Sequence, residues 1–140
     1  MAWRELEEQV LHDRVINALK KTMFDFPNDK YPYLKTHTNH PIKTHGVPNH
    51  TGGQYYPDLV VLDTRTEKVV TVVEVETINT VNESEAAQWL KFATLGERFY
   101  LFFPRGLEIK VKELCQKIAN AYCYEYWHDG KTLRVEHIKF

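Results

Sequence analysis

The stretch from Tyr55 to Ile78, YYPDLVVLDTRTEKVVTVVEVETI, constrains the fold more than any other part of the chain. Two runs rich in Val and Leu, 59–62 and 69–75, flank the polar segment Asp63 to Lys68, which predicts adjacent strands joined by a short turn. The first run is apolar throughout, as in a strand covered on both faces. In the second, side chains alternate, so Val70, Val72, Glu74 and Glu76 share one face while Thr71, Val73, Val75 and Thr77 share the other. Glu74 and Glu76 therefore project side by side, roughly 6.5–7 Å apart along the strand. Burying charge at the end of a core strand is costly unless something cationic compensates it. Antiparallel pairing through a short turn returns Asp58, at the start of the first strand, beside Glu74 and Glu76. Three acids on neighbouring strand ends form a cage of hard oxygen ligands suited to Mg²⁺ or Mn²⁺.

At 140 residues and 43% apolar content, the chain suits one α/β domain, residues 1–140, that needs no disulfide to hold its core. The formal net charge of −1 argues against a DNA-coating role and leaves any nucleic-acid affinity to a local basic patch. No apolar run approaches the ~20 residues that span a bilayer, and MAWRELEEQ lacks a signal peptide's hydrophobic segment. The expectation is a cytoplasmic protein with no membrane partner. Cys115 and Cys123 form no CxxC and read as small buried hydrophobes.

Ahead of the paired strands, residues 4 to about 24 place Leu6, Val10, Leu11, Val15, Leu19 and Met23 at helical intervals, acids early and lysines late. Residues 26–54 are rich in Pro, Asn, Gly, Thr and His, with a first strand expected over Tyr33 to Thr38 and a loop over Pro41 to Gly53 near Asp58. The segment carries His37, His40, His45 and His50. Polar loop residues account for them most simply, zinc chelation is a rival, and with Lys35, Lys43, Tyr31, Tyr33 and Tyr55 they would make a basic, aromatic rim for phosphates and unstacked bases.

Beyond the strands, Asn82 caps a helix with Glu85 three residues on, and Gly96 ends it. Gln88 and Lys91 lie three apart on that helix. Phe99 to Phe103 is a short apolar strand stopped by Pro104, Leu107 to about Tyr122 a second packing helix, and Asp129-Gly130 the turn of a C-terminal β-hairpin. The hairpin extends the sheet or pairs with another copy through its edge, giving a homodimer.

Pro57-Asp58, followed at the end of a hydrophobic strand by Glu74-Val75-Glu76, resembles the PD-(D/E)xK nuclease superfamily. The order of elements over roughly residues 4 to 103 is similar to its restriction-endonuclease-like core: a central mixed β-sheet flanked by helices in αβββαβ order, here with a C-terminal helix and β-hairpin. One departure is Glu76, where the family usually has Lys, although some restriction endonucleases of the superfamily carry Glu. The resemblance implies a Mg²⁺- or Mn²⁺-dependent nuclease acting on DNA or RNA, DNA ahead of RNA. Asp58 and Glu74 would be the principal metal ligands, and Glu76 would complete the coordination or orient the attacking water. Gln88 would fix water or phosphate, Lys91 would replace the missing lysine, and Glu8 of the first helix would bind the ion through a water. The rival is a nuclease fold without its lysine that grips nucleic acid or a protein partner without cutting.

Overall fold

The computed structural model describes residues 6–49 and 51–140. The first helix, α1 (Leu6–Lys21), turns one apolar stripe inward, with His12, Val15, Ile16 and Leu19 buried, and carries Glu7 and Glu8 in its first turn and Lys20 and Lys21 in its last. Residues 4 and 5, where the sequence starts this helix, lie outside the described residues.

Strand β1 (Leu34–Thr38) follows, then a two-stranded hairpin of β2 (Val47–Pro48) and β3 (Gln54–Tyr55) inside the segment expected to be irregular. The paired runs form β4 (Leu59–Asp63) and β5 (Lys68–Val75), antiparallel, with Leu59 opposite Val73. After them come α2 (Glu83–Phe92), β6 (Arg98–Pro104), α3 (Glu108–Leu114), β7 (Ala121–Asp129) and β8 (Thr132–Ile138).

Six of these strands make one mixed sheet in the order β1-β4-β5-β6-β7-β8. The β5-β6 and β6-β7 pairs are parallel and the other pairs antiparallel. The two parallel pairs are those joined by helices, because a parallel connection must cross the sheet. Alternation along the strands divides the core in two. Leu59, Val61, Val73, Val75, Phe102 and Tyr126 face Val15, Ile16 and Leu19 of α1. On the opposite face, Val72, Phe99, Leu101, Phe103 and Cys123 pack with Trp89 and Phe92 of α2 and Val111 of α3. Both cysteines are free and buried in this second layer, and no described helix is long and apolar enough to cross a membrane.

Two boundaries differ from the sequence reading. Helix α3 stops at Leu114 rather than near Tyr122: Ile118 reaches the core from a turn, and Tyr122 is already in β7. Helix α2 ends at Phe92 with Ala93 as its right-handed C-cap, so Gly96 does not terminate it. Gly96 instead lies against β5, where a Cβ would stand 2.8 Å from Val69 Cγ1 and 3.2 Å from the Val69 carbonyl oxygen.

Candidate functional site

Antiparallel pairing brings the start of β4 against the end of β5, and the acids gather there. Asp58 and Glu74 are buried, and Glu76 is wholly so. The Asp58 N–H donates to Glu74 Oε1 at 3.0 Å, and the Val75 N–H donates to Asp58 Oδ2 at 2.8 Å. Glu76 continues beyond the strand, its N–H donating to the Phe102 carbonyl and its own carbonyl accepting from the Tyr126 hydroxyl. The three acids named from the sequence thus meet at one end of the sheet.

Two histidines stand against Asp58. His12 Nε2 donates to Asp58 Oδ2 at 3.1 Å, and His40 Nε2 stands 2.8 Å from Asp58 Oδ1. The rings of His12 and His40 meet edge to face, 4.7 Å between centroids. His12 arrives on the buried stripe of α1. His40 is delivered by Asn39, whose side-chain amide donates to the carbonyls of Pro57 and His45 while its oxygen accepts from the N–H groups of Thr44 and His45. The Asn39 N–H also donates to the Asp58 carbonyl. One buried asparagine therefore ties the loop after β1 to the strand that carries Asp58.

The electrostatics of the two neighbouring acids diverge. Burial pushes the Asp58 carboxyl up, but the charge of His12 and hydrogen bonds from His12 and His40 outweigh it, and its pKa lies well below the ordinary 3.8. Glu74 moves the other way: burial first, then the charges of Asp58 and Glu76, raise its pKa well above 4.5 against the opposing Asp58 N–H bond. The surroundings thus favour the ionised form of Asp58 and the protonated form of Glu74.

Glu8 lies on α1 one turn before His12, its carboxylate accepting from the hydroxyl of Thr77 at 3.0 Å and from the side-chain amide of Asn79. It is anchored to the segment just past Glu76. From α2 the acid that acts on Glu74 is Glu85, which is buried. Asn82 caps the helix as expected, accepting from the Glu85 N–H at 2.9 Å. Glu85, Trp89 and Phe92 form the inward stripe of α2, with Gln88 half-buried at its flank; among the described residues the Gln88 side chain makes no hydrogen bond.

Lys91 departs from the expected position. Two residues beyond Trp89 it is turned about 200° away around the helix, and it is exposed, lining a hollow with Val47, Pro48, Tyr55 and Thr94. No described contact carries it to the carboxylates. The rim of lysines and aromatics is likewise divided by the antiparallel register. Tyr33, beside Arg65 (3.7 Å), lies next to Leu34, which pairs with Asp63 at the far end of β4. Lys43 stands over Tyr56 near Asp58. His37 stacks on His45, and burial together with the charges of His45, Lys35 and Lys20 lowers its pKa. His50 lies outside the described residues.

Two donor sets near this point have the chemistry to hold a cation. The first is the oxygen set of Asp58, Glu74 and Glu76. An ionised carboxylate has about four acceptor directions; three of those of Asp58 are taken by His12, His40 and the Val75 N–H. The second is His12, Asp13 and His40, whose ligand-type atoms all lie within 4.8 Å of one another. There Gln9 already donates to Asp13 Oδ1 at 3.0 Å. The sequence reading missed His12 altogether, gave Glu85 only as a capping partner, and named His40 only as one of four histidines of a polar, zinc-binding or phosphate-facing segment. The signal for His12 was a histidine at a core position of an amphipathic helix, and for Glu85 an acid on the same stripe as Trp89. Compared with family models, curated proteins and solved structures, the chain matches none.

Proposed function

We propose that this chain is a divalent-metal-dependent phosphodiesterase of the PD-(D/E)xK, restriction-endonuclease-like kind, acting on DNA ahead of RNA. The observation that supports this reading most is the meeting of Asp58, Glu74 and Glu76 at one sheet end, with Glu8 of α1 anchored alongside at Thr77 and Asn79. Carboxylates belong at such a site because Mg²⁺ and Mn²⁺ take hard oxygen ligands. The bound ion would supply charge stabilisation and a water made nucleophilic at neutral pH. Asp58 would ligate through its remaining acceptor direction, Glu74 would ligate as a carboxylate, and Glu76 would complete the coordination or orient the attacking water. Imidazole N–H donors of His12 and His40, set against Asp58, would take the place beside the carboxylates that the family gives to lysine, so Lys91 is not needed.

Cleavage of single-stranded, duplex and branched DNA and RNA in Mg²⁺ and Mn²⁺ tests the reading. Outer-shell partners of metal ligands are worth about 10–100-fold in activity, so Asp58→Ala should lose more than that. Absence of metal-dependent cleavage on every substrate would overturn it. One observation favours the second reading, a module that binds nucleic acid or a protein without cutting: the Asp58 carboxylate is largely occupied by hydrogen bonds already. That reading gains if the chain binds nucleic acid equally with and without divalent ion and Asp58→Ala leaves binding unchanged.

A further inference from the structure

The two edges of the six-stranded sheet are finished differently. At β1 the preceding loop covers the edge: the Thr36 N–H donates to the Phe26 carbonyl and the Thr36 hydroxyl to the Phe24 carbonyl. At β8, among the described residues, no backbone group outside β7 bonds to the strand. Its outward row of N–H and C=O groups is a template for another strand.

The side chains of β8 specify which strand. Residues directly opposite in an antiparallel pair share a face, so two copies of β8 related by a two-fold axis normal to the sheet must pair residues an even number of positions apart. Centring the axis on Val135 sets Arg134 against Glu136 in both directions, Leu133 against His137, and Thr132 against Ile138. The next allowed registers set Arg134 on Arg134 or Glu136 on Glu136, a repulsion that selects against them. The hairpin itself leaves the matching charges unspent. Glu136 lies directly across from Glu125, a like-charge pair, and Glu125 has its own cation in Arg105 at 3.7 Å. Among the described residues the ion-pair partner of Arg134 is Asp129, at 3.8 Å, where both are exposed, a contact worth little in water. Val135, at the proposed axis, is 37% exposed.

We propose that β8 pairs with β8 of a second copy, antiparallel and centred on Val135, to form a homodimer with one continuous twelve-stranded sheet. The dimer does not rest on the nuclease reading. A single strand pair is a small interface, so the dimer dissociates on dilution. Its register is enforced by the crossed Arg134–Glu136 pairs.

Sedimentation of the full chain over a concentration series should show a monomer–dimer equilibrium. Arg134→Glu and Glu136→Arg should each weaken it by more than about tenfold, since each sets like charges directly opposite one another across the axis. An equimolar mixture of the two variants should recover a heterodimer, and the double variant a homodimer, because both restore opposite charges across the axis. Glu136→Arg also faces Glu125 in its own hairpin, so circular dichroism should find it folded; should Arg134→Glu not fold, wild type, Glu136→Arg and the double variant decide the matter. A wild-type monomer at every concentration, or single variants that dimerise as wild type does, would overturn the proposal.

Discussion

Asp58 is held by groups from three parts of the chain: His12 of α1, His40 of the loop after β1 and the Val75 N–H of β5. Breaking a buried charge pair by removing one partner costs about 3–5 kcal/mol because the other charge stays buried. His12→Ala should therefore lower stability by that order near neutral pH, read from the midpoint of urea unfolding; a loss below about 1 kcal/mol would show that Asp58 finds compensation elsewhere. The two acids also give opposite pH dependences. Asp58, depressed in the folded state, contributes stability above its unfolded value of about 3.8 that is lost as pH falls through the folded one. Glu74, raised in the folded state, contributes fully below about 4.5 and progressively less as pH rises through its folded value. Glu74→Gln keeps an oxygen to accept the Asp58 N–H and removes the titration. In chelator, the decline of stability above pH 4.5 should be shallower in Glu74→Gln than in wild type, and parallel curves would place the proton on another group.

Among the elements, α2 shows most directly how packing assigns roles. Its inward stripe is Glu85, Trp89 and Phe92, so the helix presents a carboxylate to Glu74 and turns Lys91 outward by the ordinary 3.6-residue period. Lys91→Ala should leave both stability and any metal-dependent cleavage within about 0.5 kcal/mol of wild type, as for surface positions in general; a loss of cleavage with unchanged folding would restore the lysine to the site. The chain that leaves α2 must then pass close to β5 before entering β6, and Gly96 makes that approach. A methyl there meets Val69 Cγ1 and the Val69 and Val70 carbonyls, so Gly96→Ala should cost about 1–3 kcal/mol by overpacking, measured by thermal melting. No change in melting temperature would mean that the 94–97 segment relaxes freely.

For the molecule as a whole, the acidic end of the sheet is costly to fold because burial penalises carboxylates, and under the proposed function a bound cation would remove part of that cost. An ion that binds only the folded state stabilises it by about 2.7 kcal/mol at a hundredfold excess over its Kd. Mg²⁺ or Mn²⁺ should raise the melting temperature, more at higher pH as Glu74 gives up its proton, and the shift should vanish in Glu74→Gln. Equal shifts in both proteins would direct attention to His12, Asp13 and His40 as the binding set.

The sequence by itself determined the local facts: the β4-turn-β5 unit, the alternation that puts Glu74 and Glu76 on one face, the return of Asp58, the Asn82 cap and the existence of α1 with Val15 and Leu19 inward, although Leu6 and Val10 of the expected stripe are exposed and His12 and Ile16 are buried in their place. Each depends on a period of 2 or 3.6 or on the chemistry of a turn, and these are written in neighbouring residues. Only the tertiary structure decided that His12 and His40 stand beside Asp58, because His12 lies 46 residues before it and His40 on a loop whose course depends on the buried side chain of Asn39. The same reason divides the aromatic rim, makes Glu85 rather than Lys91 the α2 neighbour of Glu74, and gives Gly96 to strand packing. Each of these follows from which faces come together across the sheet, which local periodicity alone does not fix.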